Sequence, residues 1–131
     1  MALKKRILIV DDHPLFREGI KSIIQGEGTY DVVGEAGSAS EGLVLAKKLG
    51  PDLSLVDISL PDRSGFDLIR ELKGIRDTMH ILVLSMHAKV DYIVKAFQAG
   101  ASGYLTKESA ADMLISGIGQ TLEGKYFMDG S

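Results

Sequence analysis

Short, nearly uninterrupted apolar runs recur along the chain at intervals of roughly 25 residues, and no other feature limits its possible folds as tightly. The runs are Ile7-Leu8-Ile9-Val10, Val32-Val33, Leu53-Ser54-Leu55-Val56, Ile81-Leu82-Val83-Leu84 and a weaker Gly103-Tyr104-Leu105. Between them lie helical patterns: Leu15, Ile20, Ile23 and Ile24; Leu43, Ala46, Lys47 and Leu49; Phe66, Ile69 and Leu72; Val90, Ile93, Val94 and Phe97; Met113, Leu114, Ile118 and Leu122. The pattern is α/β, a (βα)5 alternation. Runs one, three and four do not alternate with polar residues, as expected of parallel strands covered by helices on both faces. Right-handed crossovers leave few arrangements. A doubly wound, flavodoxin-like 2-1-3-4-5 sheet would carry helices one and five on one face and two, three and four on the other, although periodicity alone does not select that order.

Helix-start chemistry agrees. Pro14 suits a first helical turn, where its missing N–H costs nothing. Ser38 with Glu41, Ser64 with Asp67 and Ser109 with Asp112 each place a hydroxyl at an expected N-cap and a carboxylate three residues on. Gly117 and Gly119 sit inside the fifth helical pattern, where they would permit close approach of a partner helix or mark a frayed segment. The chain of 131 residues is one domain's worth, able to bury roughly two thirds of its unfolded surface. Residues 1–122 are expected to form that domain, and 123–131 a docked tail or the start of a linker within a longer chain.

Several function classes are excluded on composition. Cysteine is absent, which removes disulfides, thiolate metal sites and thiol nucleophiles and suits a cytoplasmic setting. The N-terminal Met-Ala-Leu-Lys-Lys-Arg resembles a secretory start, but the apolar run behind it is too short and ends at two aspartates. No stretch approaches the roughly 20 apolar residues needed to span a bilayer. Fifteen basic against eighteen acidic residues give a formal charge of −3, and Lys4-Lys5-Arg6 is the one basic run of three, so this segment is not itself expected to bind DNA.

In such a sheet, ligands gather outside the carboxyl ends of the strands near the switch in strand order. Asp11 and Asp12 follow the first run and Asp57 ends the third. A lone aspartate there is commonly a turn or cap residue, whereas three ionised carboxylates together repel unless a cation is shared. With no thiolate and no histidine cluster, the donor set suits Mg²⁺ or Mn²⁺ and leaves Asp57 able to attack phosphorus. Ser85 and Lys107 follow the fourth and fifth runs; each has an ordinary reading, as a cap and as a solvent-facing cation, and a chemical one, as donors to phosphoryl oxygens. Pro61 and Gly65 would turn the chain sharply between Asp57 and the third helix.

Over residues 4–122 these features come as ordered motifs: Ile-Leu-Ile-Val-Asp11-Asp12-His13-Pro14-Leu-Phe-Arg-Glu-Gly, Val-Val-Gly-Glu-Ala, Pro51-Asp-Leu-Ser-Leu-Val-Asp57-Ile-Ser-Leu-Pro61, Leu84-Ser85-Met86-His87 and Ala99-Gly100-Ala-Ser-Gly-Tyr104-Leu-Thr-Lys107. So arranged, the chain resembles the receiver domain of bacterial two-component response regulators, in wording closest to those with a C-terminal LuxR-type helix-turn-helix output domain. The resemblance implies phosphoryl transfer from a sensor histidine kinase to Asp57. It implies direct metal contact by Asp12 and Asp57, largely water-mediated contact by Asp11, and a ligand in the backbone carbonyl of Ser59. It further implies switch roles for Ser85 and Tyr104, a phosphoryl-binding Lys107, homodimerisation on phosphorylation, and transcriptional control through DNA contacts made by a domain outside this chain. On its residues alone Tyr104 reads as a core aromatic.

Two positions depart from the common receiver pattern. Met86 stands where Ala or Gly is frequent and should narrow access to Asp57. Glu108 replaces a frequent proline after Lys107, so the preceding bond is expected to be trans, since a cis bond at a non-proline residue costs about 2.5–4 kcal/mol. Two rivals use the same fold: an interaction module that has lost phosphorylation, and a small phosphohydrolase working through an aspartyl intermediate. The first conflicts with the presence of all five polar strand-end residues, the second with the lack of a second aspartate two positions beyond Asp57.

Overall fold

The computed structural model describes residues 3–129; Met1 and Ala2 of the basic N-terminal segment, and Gly130 and Ser131 of the tail, lie outside them. Strands and helices alternate as β1 Lys5–Val10, α1 Pro14–Glu27, β2 Tyr30–Ala36, α2 Ala39–Leu49, β3 Leu53–Asp57, α3 Gly65–Ile75, β4 His80–Ser85, α4 Val90–Ala99, β5 Gly103–Thr106 and α5 Ala110–Leu122, followed by a two-residue strand, β6, Phe127–Met128. The sheet order is β2-β1-β3-β4-β5-β6 and every pairing is parallel. The doubly wound order expected above is therefore present, with one additional strand at the β5 edge.

Successive strand residues point to opposite faces, which divides each apolar run between two cores. Ile7, Ile9, Leu55, Leu82, Leu84 and Leu105 pack with Ile20 and Ile24 of α1 and Leu114 and Ile118 of α5. Leu8, Val10, Val56, Ile81, Val83 and Tyr104 pack with α2, α3 and α4 through Ala46, Leu68, Ile69, Leu72 and Ala96. Helices one and five thus share one face and the other three share the opposite face. With both faces covered, alternation of polar and apolar residues has no place in the central strands.

Caps at two helix starts follow expectation, and one does not. Ser38 Oγ accepts from the Glu41 amide at 3.2 Å, and the Glu41 carboxylate reaches back to the Gly37 amide at the same distance. Ser64 Oγ accepts from the Phe66 amide at 3.1 Å. Ser109 makes no side-chain cap: Lys107–Ser109 form a 3-10 turn, and the Ser109 hydroxyl instead meets Thr106 Oγ1 at 3.1 Å. The described residues contain no cis peptide, so the Lys107–Glu108 bond is trans and leads directly into that turn.

Gly117 is explained from within the chain. A Cβ there would lie 2.9 Å from the Phe127 ring, so the glycine gives β6 its seat, and α5 continues unbroken to Leu122. Tyr126 adds an edge-on contact with Phe97 of α4, with ring centroids 5.7 Å apart. Asp129 accepts from the backbone N and the hydroxyl of Thr106 at 3.0 and 2.9 Å. Residues 127–129 are thereby fastened along β5.

Candidate functional site

Parallel register brings the ends of β1, β3, β4 and β5 to one edge: Val10 pairs with Val56, Asp57 with Leu84, and Ser85 with Thr106. The residues at or just beyond these ends are Asp11, Asp12, Asp57, Ser85 and Lys107. Asp11, Asp57 and Ser85 are almost fully buried.

The same local device orients three of these side chains. Asp11 Oδ1 accepts from the His13 amide at 2.7 Å, Asp57 Oδ1 from the Ser59 amide at 2.8 Å, and Ser85 Oγ from the His87 amide at 3.0 Å. Each is a short polar side chain bonding to its own backbone two residues on, a turn chemistry suited to the sharp exit from a strand. With Oδ1 committed, Oδ2 of both aspartates faces Lys107, whose Nζ lies 2.8 Å from Asp11 Oδ2 and 3.0 Å from Asp57 Oδ2. The ammonium also lies 4.5 Å from the Phe16 ring centroid, a cation–π contact.

Burial pushes the Asp57 carboxyl above its ordinary pKa, and Asp11 adds to the rise; the Ser59 amide and Lys107 oppose it. The residues fit a divalent cation on their own chemistry. Asp11 Oδ2 and Asp12 Oδ1 are buried without a hydrogen-bond partner, and the contact from Lys107 to Asp11 Oδ2 is an ion pair rather than an aligned hydrogen bond. One donor atom from each of Asp11, Asp12, His13 and Asp57 lies within 4.8 Å of the others, and three of the four are carboxylate oxygens, the donors that hard cations take.

Ser59 joins the site through its amide. Ser85 lies at the same edge with its hydroxyl held by His87. Tyr104 stands apart from the acidic group: its ring is buried in the core covered by α2, α3 and α4, and its hydroxyl donates to the His87 carbonyl at 2.7 Å. Burial raises its phenol above the ordinary pKa, with the neighbouring Ser85 hydroxyl acting in the opposite sense. Met86 is 70 % exposed and stands at the rim of a cavity of about 660 Å³, lined also by His13, Leu15, Phe16, Lys107 and Glu108.

Three residues gain roles here that sequence reasoning missed. His13 places Nδ1 beside all three carboxylates. His87 joins Ser85 to Tyr104 through the two polar groups of its backbone. Asp62 accepts from the Ala39 and Ser40 amides at 2.9 and 3.0 Å, tying the loop after Asp57 to the start of α2; these bonds hold its carboxyl down at about 2. Only His13 had a visible signal, its place directly after Asp11-Asp12.

Residues 7–118 match the family model described as the response regulator receiver domain. The chain is 38% identical over 125 residues to the transcriptional regulatory protein DegU of Brevibacillus brevis, covering 95% of this chain and 53% of DegU. It is 34% identical over 122 residues to the nitrate/nitrite response regulator protein NarL of Escherichia coli strain K12, covering 93% and 56%. The chain thus spans about half the length of the curated relatives it matches. Among solved structures it is similar to a LuxR-family two-component response regulator from Aurantimonas sp. SI85-9A1, with TM-score 0.91 and 37% identity over 96% of this chain and 90% of that one. The signal receiver domain of the putative response regulator NarL from Mycobacterium tuberculosis gives TM-score 0.89 and 31% identity, covering 95% and 100%. Fold, strand-end chemistry and both kinds of comparison agree: the chain belongs to the response regulator receiver domain family, and its relatives are LuxR- and NarL-type transcriptional regulators.

Proposed function

We propose that the chain is a phosphorylation-dependent switch in which Asp57 takes a phosphoryl group from the phosphohistidine of a sensor histidine kinase, assisted by Mg²⁺ or Mn²⁺. The observation that carries this reading is the environment of Asp57: a buried carboxylate at a strand end, turned by the Ser59 amide so that Oδ2 meets an ammonium, beside a second buried carboxylate. An Asp57 oxygen attacks phosphorus, the bond from phosphorus to the donor imidazole breaks, and the imidazole leaves with the electron pair. Lys107 pairs with one phosphoryl oxygen. Ser85 Oγ accepts from His87 and so keeps its own O–H to donate to another. Asp11, Asp12, Asp57 and, by the family resemblance, the Ser59 carbonyl would hold the cation, which when bound neutralises charge on the phosphoryl oxygens.

The output follows from the His87 peptide. Movement of Ser85 toward the phosphoryl group pulls on the His87 amide, whose residue's carbonyl anchors Tyr104, so the ring and α4 answer to the phosphorylation state. In a longer protein that surface would govern homodimerisation and a LuxR-type DNA-binding domain controlling transcription. The chain would promote its own phosphorylation and dephosphorylation without turning over an external small substrate. A cytoplasmic site of action suits a kinase-fed switch, and no helix among the described residues is long and apolar enough to cross a membrane.

The test is intact-mass measurement after incubation with acetyl phosphate and Mg²⁺. One phosphoryl addition is expected for the wild type and none for Asp57→Asn; unchanged incorporation in that variant would reject the nucleophile. Met86 gives a second expectation, because it lines a cavity together with His13 and Lys107 of the site. Met86→Ala should label faster with acetyl phosphate, and equal labelling rates would remove any gating role for Met86.

A further inference from the structure

We infer that His13 is a further protein ligand of the cation site, its one nitrogen donor, and that its imidazole makes the site favour a first-row transition ion such as Mn²⁺ over Mg²⁺ more than oxygen donors alone would. The inference rests on the cation-site reading above and extends it. His13 Nδ1 lies 3.3 Å from Asp12 Oδ1, 3.4 Å from Asp11 Oδ1 and 3.7 Å from Asp57 Oδ2. It also lies 3.1 Å from Lys107 Nζ. An ammonium can only donate, so it is the tautomer protonated on Nε2 that presents an Nδ1 lone pair to this contact.

A nitrogen lone pair facing carboxylate oxygens is repulsive unless one positive centre serves them all. Lys107 supplies that centre through Nζ, within reach of Asp11, Asp57 and His13. A cation shared by the same atoms would satisfy the buried Asp11 Oδ2 and Asp12 Oδ1 oxygens that lack hydrogen bonds. The ring has no competing duty: although His13 is the N-cap residue of α1, its side chain makes no cap hydrogen bond. Its position is set by the backbone, with its amide bonded to Asp11 Oδ1 and Pro14 following directly as the first residue of the helix.

Donor chemistry supplies the selectivity. Carboxylate and carbonyl oxygens suit Mg²⁺ and Mn²⁺ alike, whereas imidazole nitrogen is a good ligand for first-row transition ions and a poor one for Mg²⁺. Without His13 the site is all oxygen. With it, the site has three carboxylates and one nitrogen, converging from two strand ends and the entrance to one helix.

The test uses the full chain, with MnCl₂ and MgCl₂ titrated separately by calorimetry into wild type, His13→Ala and His13→Asn. Metal-free thermal melts establish that each variant is folded. Mn²⁺ affinity relative to Mg²⁺ should fall about tenfold or more in both variants, the scale on which even groups one shell further from a cation act. Mg²⁺ affinity itself should change little. Pulsed electron paramagnetic resonance of the Mn²⁺ complex should show imidazole-nitrogen coupling in the wild type and none in His13→Ala. An unchanged Mn²⁺ to Mg²⁺ ratio, or a wild-type complex without nitrogen coupling, overturns the ligand role while leaving the cation site standing. Equal strengthening of both ions in His13→Ala would instead identify a repelling imidazolium and overturn the inference as well. Failure of the wild type to bind either ion at millimolar concentration would bring down the cation site and the inference with it.

Discussion

Lys107→Met is expected to lower the stability of the metal-free protein by about 3–5 kcal/mol, the usual cost of removing one partner from a buried ion pair. The side chains of Lys107, Asp11 and Asp57 are 6%, 0% and 1% exposed, so solvent screening does little to soften the loss. The variant leaves two aspartates facing each other with no counter-charge. Urea denaturation with a chelator present should show the deficit at neutral pH. The sign of the pH dependence is fixed by Asp57, whose carboxyl burial already holds above its ordinary pKa. As pH falls through that raised value the folded state gains a proton, the repulsion relaxes, and the gap between variant and wild type narrows. Mg²⁺ should stabilise the variant more than the wild type, since it restores the missing positive charge. A deficit that persists unchanged at low pH and in saturating Mg²⁺ would locate Lys107's contribution in packing rather than charge.

Gly65→Ala should be comparably severe for a different reason. A Cβ at Gly65 would lie 2.3 Å from Ile58 Cα and 2.9 Å from its carbonyl carbon, backbone atoms that cannot rotate aside. The Gly65 amide also donates to the Ile58 carbonyl at 3.3 Å, so the two segments cannot part without losing that bond. A cost of about 3 kcal/mol or more is expected, at the upper end of overpacking substitutions. Ile58 lies between Asp57 and Ser59, and forcing it away should also slow phosphoryl uptake. Gly19→Ala supplies the contrast: it lies within α1 with open space where the methyl would go, so it should stabilise by about 0.5–1 kcal/mol. Equal denaturation midpoints for the two variants would show that the contact at Ile58 is not the cause.

Much of this fold was legible because its central strands are buried on both faces, leaving long apolar runs as their mark. Leu53-Ser54-Leu55-Val56 and Ile81-Leu82-Val83-Leu84 needed no other clue. β5 was weaker because Gly103 has no side chain to contribute; Leu82 and Thr121 fill the space where one would stand. β6 was not legible, since its hold depends on Phe127 meeting Gly117 across a turn, a pairing that carries no periodicity. The Ser109 cap failed because the chain tightens into a 3-10 turn before α5 begins. The convergence of Asp11, Asp12, Asp57, Ser85 and Lys107 on one edge was legible because strand ends in a parallel sheet meet there. His87 and Asp62 were not, for they act through backbone bonds whose geometry exists only once loops from separate elements have met.

The small sixth strand fixes the point from which any module fused after it would be tethered. β6 runs parallel to β5, so the chain travels toward the edge that holds Asp57 and is pinned there by Asp129 on Thr106, the residue before Lys107. Asp129 itself therefore lies on the chemically active side of the molecule. Each further residue extends the reach by at most about 3.6 Å, so a short tether keeps an attached body in the neighbourhood of that edge. At such range the local concentration of a tethered module is of millimolar order, which raises its apparent binding to that edge without any gain in intrinsic affinity.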